Sequence, residues 1–209
     1  MNYHKHRIEG RLYTPSRLLH MTTMLRARVG LLGEYGWLDQ EHAPAYQRFR
    51  LGGGSTVDPL RGYDDYMVVP DKYDQIVTER YNPVAVKDSL GNVIGIHYQF
   101  RPALVRYPGG SYASTYTVEE QFPIVNPLHA VLFFDAGNTW DLPKEIQPFK
   151  LNTSLGIGFR IEIPILGNIG FDYGYGFDRT EMSIDRDGVG HIVHRPRFVG
   201  HFLLGNINN

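Results

Sequence analysis

The chain contains no cysteine, which excludes a disulfide scaffold and any thiolate metal or redox centre. It lacks a charge surplus too: 21 basic residues against 22 acidic give a net charge of −1. Without a basic excess there is no electrostatic basis for holding a phosphate backbone, so nucleic acid is not an expected partner. Apolar runs are short, Ala130 to Phe134 being typical, and none approaches the length of about 18 residues that a membrane helix needs. The opening stretch MNYHKHRIEGRLYTPSRLL carries charge but no apolar core of signal-peptide length. Helical periodicity is poor, because Gly and Pro interrupt nearly every window long enough for a helix. These absences leave a membrane β-barrel open, since its strands alternate lipid-facing and lumen-facing residues and give a weak hydropathy signal.

The 209 residues include 23 Gly, 14 Tyr and 11 Phe, and 42% are hydrophobic. That mix argues against disorder and favours strands and tight turns. Strands are expected over residues 5–13, 18–35, 112–122, 129–136, 151–163, 168–177 and 195–205. In residues 18–35 the alternation puts Met21, Thr23, Leu25, Ala27, Val29 and Leu31 on one face. His20, Thr22, Met24, Arg26 and Arg28 fall on the other. A helix is the rival here, because Leu, Met, Arg and Ala are good helix formers. Residues 37–110 read as one long irregular loop with turn signals at Gly52-Gly53-Gly54, Asp58-Pro59, Asn82-Pro83 and Pro108-Gly109-Gly110. Within it, Asp88–Asn92 is the expected tip of a small hairpin between residues 84–87 and 93–100. The connection Pro164–Gly167 is short. The segments 137–150 and 178–194 are longer and polar. Short turns on one rim and long loops on the other are the asymmetry of an outer-membrane barrel. About seven strands do not make an obvious closed barrel, so the count suggests a portion of one. On that reading the gene product begins further upstream and carries an export signal there.

Few residues suggest covalent chemistry. His4 with His6, and His191 with His194, lack a third ligand at a metal-binding spacing, and exposed rim histidines are the better reading. Gly52–Thr56 lacks the lysine and the strand-to-helix setting of a phosphate loop. Gly156, Gly158, Gly174 and Gly176 lie inside strands and read as bends in a curved sheet. Asp135 and Glu119 stand out as carboxylates within strands, a costly placement unless they are paired. Either they sit at a wet strand end, or both face a lumen and share a cation, for which Arg61 beside Gly62 is a candidate. No nucleophile elbow occurs, so no catalytic residue, cofactor or metal is expected.

Gly52-Gly53-Gly54, followed by Leu60-Arg61-Gly62-Tyr63, resembles the glycine-rich segment and R-G-(F/Y) loop motif of the BamA/TamA family of outer-membrane assembly barrels. Phe133-Phe-Asp-Ala-Gly-Asn-Thr-Trp140 resembles that family's F-x-D-x-G-x-x-W strand. Ser154–Arg160 and Phe171–Phe177 resemble its last strands before the C-terminal one, and the order agrees over residues 18–209. The resemblance implies an all-β, antiparallel transmembrane barrel, with residues 1–209 as its C-terminal portion and residues 37–110 as a long extracellular loop. POTRA repeats and the first half of the barrel would lie outside this chain. It further implies that Arg61 folds back into the lumen between Glu119 and Asp135 as a conformational latch. Phe198, Phe202, Leu204 and Gly205 would belong to a C-terminal assembly signal, although Asn208 stands where the family ends in Phe or Trp, and Asp58-Pro59 alters the approach to the loop motif.

The function implied is folding and insertion of β-barrel proteins into the bacterial outer membrane, without enzymatic chemistry. The partners implied are the outer-membrane bilayer, unfolded outer-membrane clients and accessory lipoproteins reached through POTRA repeats. Two other readings remain: a translocator barrel of a secretion or patatin-like protein of the same superfamily, and a soluble β-rich ligand-binding module.

Overall fold

The computed structural model describes residues 3–15, 21–34, 43–54, 57–70, 82–99, 109–163, 167–184 and 190–205. Eleven strands occur among them: β1 (Tyr3–Pro15), β2 (Thr22–Glu34), β3 (Asn82–Lys87), β4 (Val93–Gln99), β5 (Tyr112–Val125), β6 (Leu128–Trp140), β7 (Asn152–Ile163), β8 (Gly167–Gly176), β9 (Thr180–Ile184), β10 (Gly190–His194) and β11 (Arg197–Gly205). Seven form one antiparallel sheet in the order β1-β2-β5-β6-β7-β8-β11. Setting aside the hairpins β3-β4 and β9-β10, the sheet is an up-and-down meander. Consecutive wall strands reverse direction, so the connections alternate between two rims. Both hairpins and the β6–β7 loop share one rim; the turn from Val125 to Leu128 and the short β7–β8 connection lie on the other. The sheet is open, with β1 and β11 as its edges.

The alternation of residue types becomes a two-faced wall. Leu25, Val29, Val118, Phe134, Leu155 and Ile157 point outward, Leu25 being 41% and Leu155 45% exposed. The inward rows hold Arg26, Thr117, Glu119, Asp135, Ser154 and Asp172. A soluble sandwich or lipocalin-like module would turn its apolar rows inward. Here the apolar rows face out, where only hydrocarbon compensates their exposure. Among the described residues no helix is long and apolar enough to cross a membrane. The wall strands, of 9 to 14 residues, meet the roughly 9–11 residues that a tilted membrane strand requires.

Some expectations hold and others change. Residues 22–34 are a strand, because ladder pairing on both sides, with β1 and with β5, overrides the helix propensity of Leu, Met and Arg. The polar stretch 178–194 is not wholly a loop, for Thr180–Ile184 pairs with Gly190–His194. Strand β6 runs on to Trp140, four residues beyond its expected end, because the β5 ladder continues to Tyr112. The hairpin around Asp88 forms as expected, with the Asp88 carboxylate accepting from the Leu90 and Asn92 N–H groups. Residues 18–20, 55–56, 71–81, 100–108, 164–166 and 206–209 lie outside the described residues. They include Asn208 and the Pro164 turn.

The outward rows give a direct test. Ile157→Arg, at the middle of β7, is expected to destabilise the protein in a bilayer by about 2–4 kcal/mol. Denaturant unfolding in lipid vesicles measures it, and a change below about 0.5 kcal/mol would place residue 157 out of hydrocarbon.

Candidate functional site

The long connection after β2 turns back across the inner face of the wall. Isolated bridges Phe49–Gly110, Leu51–Val68 and Gly53–Leu60 give it a backbone frame. Phe49, Leu51, Leu60, Tyr63 and Val68 bury themselves against Leu32 of β2 and Ala113 of β5. The cluster is small and lies between loop and wall, so it holds the loop down without sealing it. Gly52 has φ +128°, and a Cβ there would meet the Asp64 carbonyl oxygen at 2.1 Å. Gly53 donates its N–H to the Tyr63 carbonyl, and Gly54 packs on His201. The glycine run therefore lets the loop backbone lie close to itself and to β11.

Arg61 is 5% exposed and meets three carboxylates from three strands. Its Nε donates to Asp135 Oδ2 at 2.7 Å and its Nη2 to Asp135 Oδ1 at 2.8 Å, a bidentate pair. Nη1 donates to Glu119 Oε2 at 2.7 Å and to Asp172 Oδ2 at 3.3 Å. The backbone N–H of Arg61 adds a bond to Asp135 at 3.2 Å. The guanidinium also stacks 3.6 Å from the ring centroid of Phe133, which supplies a cation–π contact in a dry setting. Burial disfavours the charged guanidinium, but the charge and hydrogen bonds of Asp135, then Glu119 and Asp172, outweigh it and raise the Arg61 pKa.

The residues beside Arg61 clamp the loop backbone. Gly62 has φ +86° and sits on β8: a Cβ on Gly174 would lie 2.8 Å from its nitrogen, and one on Gly176 would lie 2.5 Å from its oxygen. The strand glycines 174 and 176 are thus places of close backbone approach. Gly62 donates its N–H to His201 Nε2 at 3.0 Å, so that nitrogen is unprotonated. The Tyr63 hydroxyl donates to the Thr153 carbonyl at 2.8 Å. Burial raises the pKa of that phenol and keeps it a donor. Asp58, just before the motif, is buried and paired with Arg7 of β1 at 2.9 Å.

Leu60, Arg61, Gly62, Tyr63, Glu119, Asp135 and Gly52–Gly54 are therefore brought together on the inner face. Glu119 and Asp135 are not strand-end carboxylates at a wet rim: they are 4% and 1% exposed. Phe198 and Phe202 lie away from this site, on the outer face of β11, where Phe198 stacks on Tyr173 at 4.8 Å. Leu204 and Gly205 are described only as the backbone end of that strand. Sequence reasoning missed Asp172, Arg160 and His201. Arg160 donates to Asp172 through Nη1 at 2.5 Å and Nη2 at 2.8 Å. Both stand at inward positions between outward apolar residues, so alternation across residues 157–161 and 171–175 carried the signal. Among the described residues no cluster of three His, Asp or Glu is placed to hold a metal ion.

The fit of Gly62 on β8 yields a prediction. Gly176→Val should push the loop off the wall, so a cysteine replacing buried Leu60 should react with a water-soluble maleimide about tenfold faster than in the parent. Equal rates in the two backgrounds would show that the contact does not hold the loop.

Residues 1–189 match the Omp85 superfamily domain. Among solved structures the chain is similar to BamA from Haemophilus ducreyi lacking POTRA domains 1–3. The TM-score is 0.55 at 17% identity, over 96% of this chain and 35% of that one. At that identity the likeness speaks for the fold, and the chain spans about a third of that structure. No curated protein matches the chain. An antiparallel wall with an apolar outer face, a loop bound to its inner face and a family match over most of the sequence agree: the chain belongs to the Omp85 superfamily and is an outer-membrane β-barrel protein of bacteria.

Proposed function

We propose that the chain forms the C-terminal portion of a barrel that folds and inserts other β-barrel proteins into the outer membrane, with the loop through Arg61 as its conformational latch. The observation that carries this is the Arg61 contact with Asp135, Glu119 and Asp172, which ties the long connection after β2 to three wall strands at once. The loop braces the inner face beside β11 through His201, close to an edge that offers unpaired N–H and C=O groups. An unfolded client strand satisfies such an edge by β-augmentation. A short seam at such an edge thins the adjoining bilayer and lowers the cost of inserting a new strand. The chemistry is non-covalent, without cofactor, and driven by strand pairing and apolar burial. The bilayer and unfolded outer-membrane proteins are the partners in this reading, and accessory lipoproteins act through POTRA repeats.

The test uses cells whose sole copy of the full-length gene carries Arg61→Ala. Several unrelated outer-membrane barrels are expected to fall together, and their unfolded forms to accumulate in the periplasm. If porin levels hold and a single secreted passenger disappears, the barrel is a translocator.

A further inference from the structure

The inner face of β2 carries Arg26 and Arg28. Arg28 is committed to anions: it bonds Glu9 at 2.5 Å and lies 3.8 Å from Asp58. Arg26 is not. Among the described residues its guanidinium meets no carboxylate within ion-pair distance, and its hydrogen bond goes to the neutral Thr117 hydroxyl at 3.0 Å. A half-buried cation held by a neutral partner is a costly placement.

The strand register supplies a reason for it. Arg26 stands opposite Thr117 in the β2–β5 ladder, and Thr117 opposite Asp135 in the β5–β6 ladder. The three form one inward row across the sheet. Thr117 alone therefore stands in that row between Arg26 and the carboxylate that grips Arg61. Two strand spacings amount to about 10 Å between the backbones, which an extended arginine side chain largely bridges. Arg26, Arg61, Glu119, Arg160 and Asp172 also line one cavity of about 50 Å³, which gives the Arg26 side chain room to move. Across that cavity Arg160 Nη2 lies 4.0 Å from Glu119 Oε2.

From this row we propose that Arg26 is a reserve counter-ion for the latch. When the loop leaves the wall and takes Arg61 with it, Arg26 turns from Thr117 to Asp135, and Arg160 shifts toward Glu119. This rests on reading the loop as a releasable latch. In the docked state Arg61, Arg160 and Arg26 face Glu119, Asp135 and Asp172, three cations to three carboxylates. Release without Arg26 would leave one cation, Arg160, for three buried carboxylates. With Arg26 two remain, so the open wall is less penalised while the closed one is unchanged. Arg26 is thus a positioning residue that acts through Asp135 and sets how readily the loop lets go.

The test is a variant cycle in the full-length protein folded in lipid bilayers, read as the midpoint temperature at which compact migration on a gel is lost. R26M alone is expected within about 2 °C of the parent, because Arg61 already satisfies Asp135. R61A should lose about 5 °C, and R26M/R61A at least about 10 °C, more than the two losses added. Adding D135N to the double variant removes the stranded charge and should return the midpoint to near that of R61A. Additive losses overturn the proposal. If the double variant does not fold, the triple variant decides: restored folding supports the reserve role, and failure to restore overturns it. The latch reading is checked separately with L60C in the otherwise unchanged protein. Labelling of L60C as fast as a cysteine at exposed Leu90 would sink the latch, whatever the cycle shows.

Discussion

One buried cation organises the inner half of this protein. The Arg61 side chain has left water, and a guanidinium does so only where its donors are met by acceptors in a matching plane. Asp135 takes two of those donors, Glu119 a third, and Asp172 shares it. The three carboxylates come from β6, β5 and β8, so the geometry exists only when those strands are in their native register. The loop and the wall therefore specify each other. A one-residue slip of β6 would send Asp135 to the lipid face and Phe134 into the lumen.

The same constraint explains the residues around the cation. A loop backbone that brings an arginine this deep must approach the wall closely, and Gly62 lying over Gly174 and Gly176 makes that approach possible. Phe133, on the inner face beside Glu119 and Asp135, gives the guanidinium a π-face. Tyr63 and His201 fasten the backbone on either side through one hydrogen bond each. The contact is polar around Arg61, and beside it the loop packs apolar side chains on Leu32 and Ala113 of the wall. Such an arrangement is held by geometry more than by buried area.

Much of the fold was legible because alternation is a local property. The two rows of β2 follow from period two alone, and the short and long rims follow from the lengths of the connections. The site was less legible. Arg61, Glu119 and Asp135 came together on paper through family resemblance, since nothing in their spacing shows contact between positions 74 apart. Asp172 and Arg160 were passed over although each is a charge on an inward row. A charged residue there has meaning only once its cross-strand neighbours are known. The β9–β10 hairpin was missed because its strands are short and polar, and the pairing that stabilises them is not written in either strand by itself.

By itself the sequence determined the class of element: strands with one greasy face and one polar face, without thiols, helical spans or a basic excess. Those properties depend on residue type and near neighbours. Tertiary structure alone decided which charges meet, that Gly174 and Gly176 serve as a seat for Gly62, and that Arg26, Thr117 and Asp135 share one row. These depend on sheet register and on the closure of a long loop, where the gain comes from groups far apart in the chain and no local pattern records it.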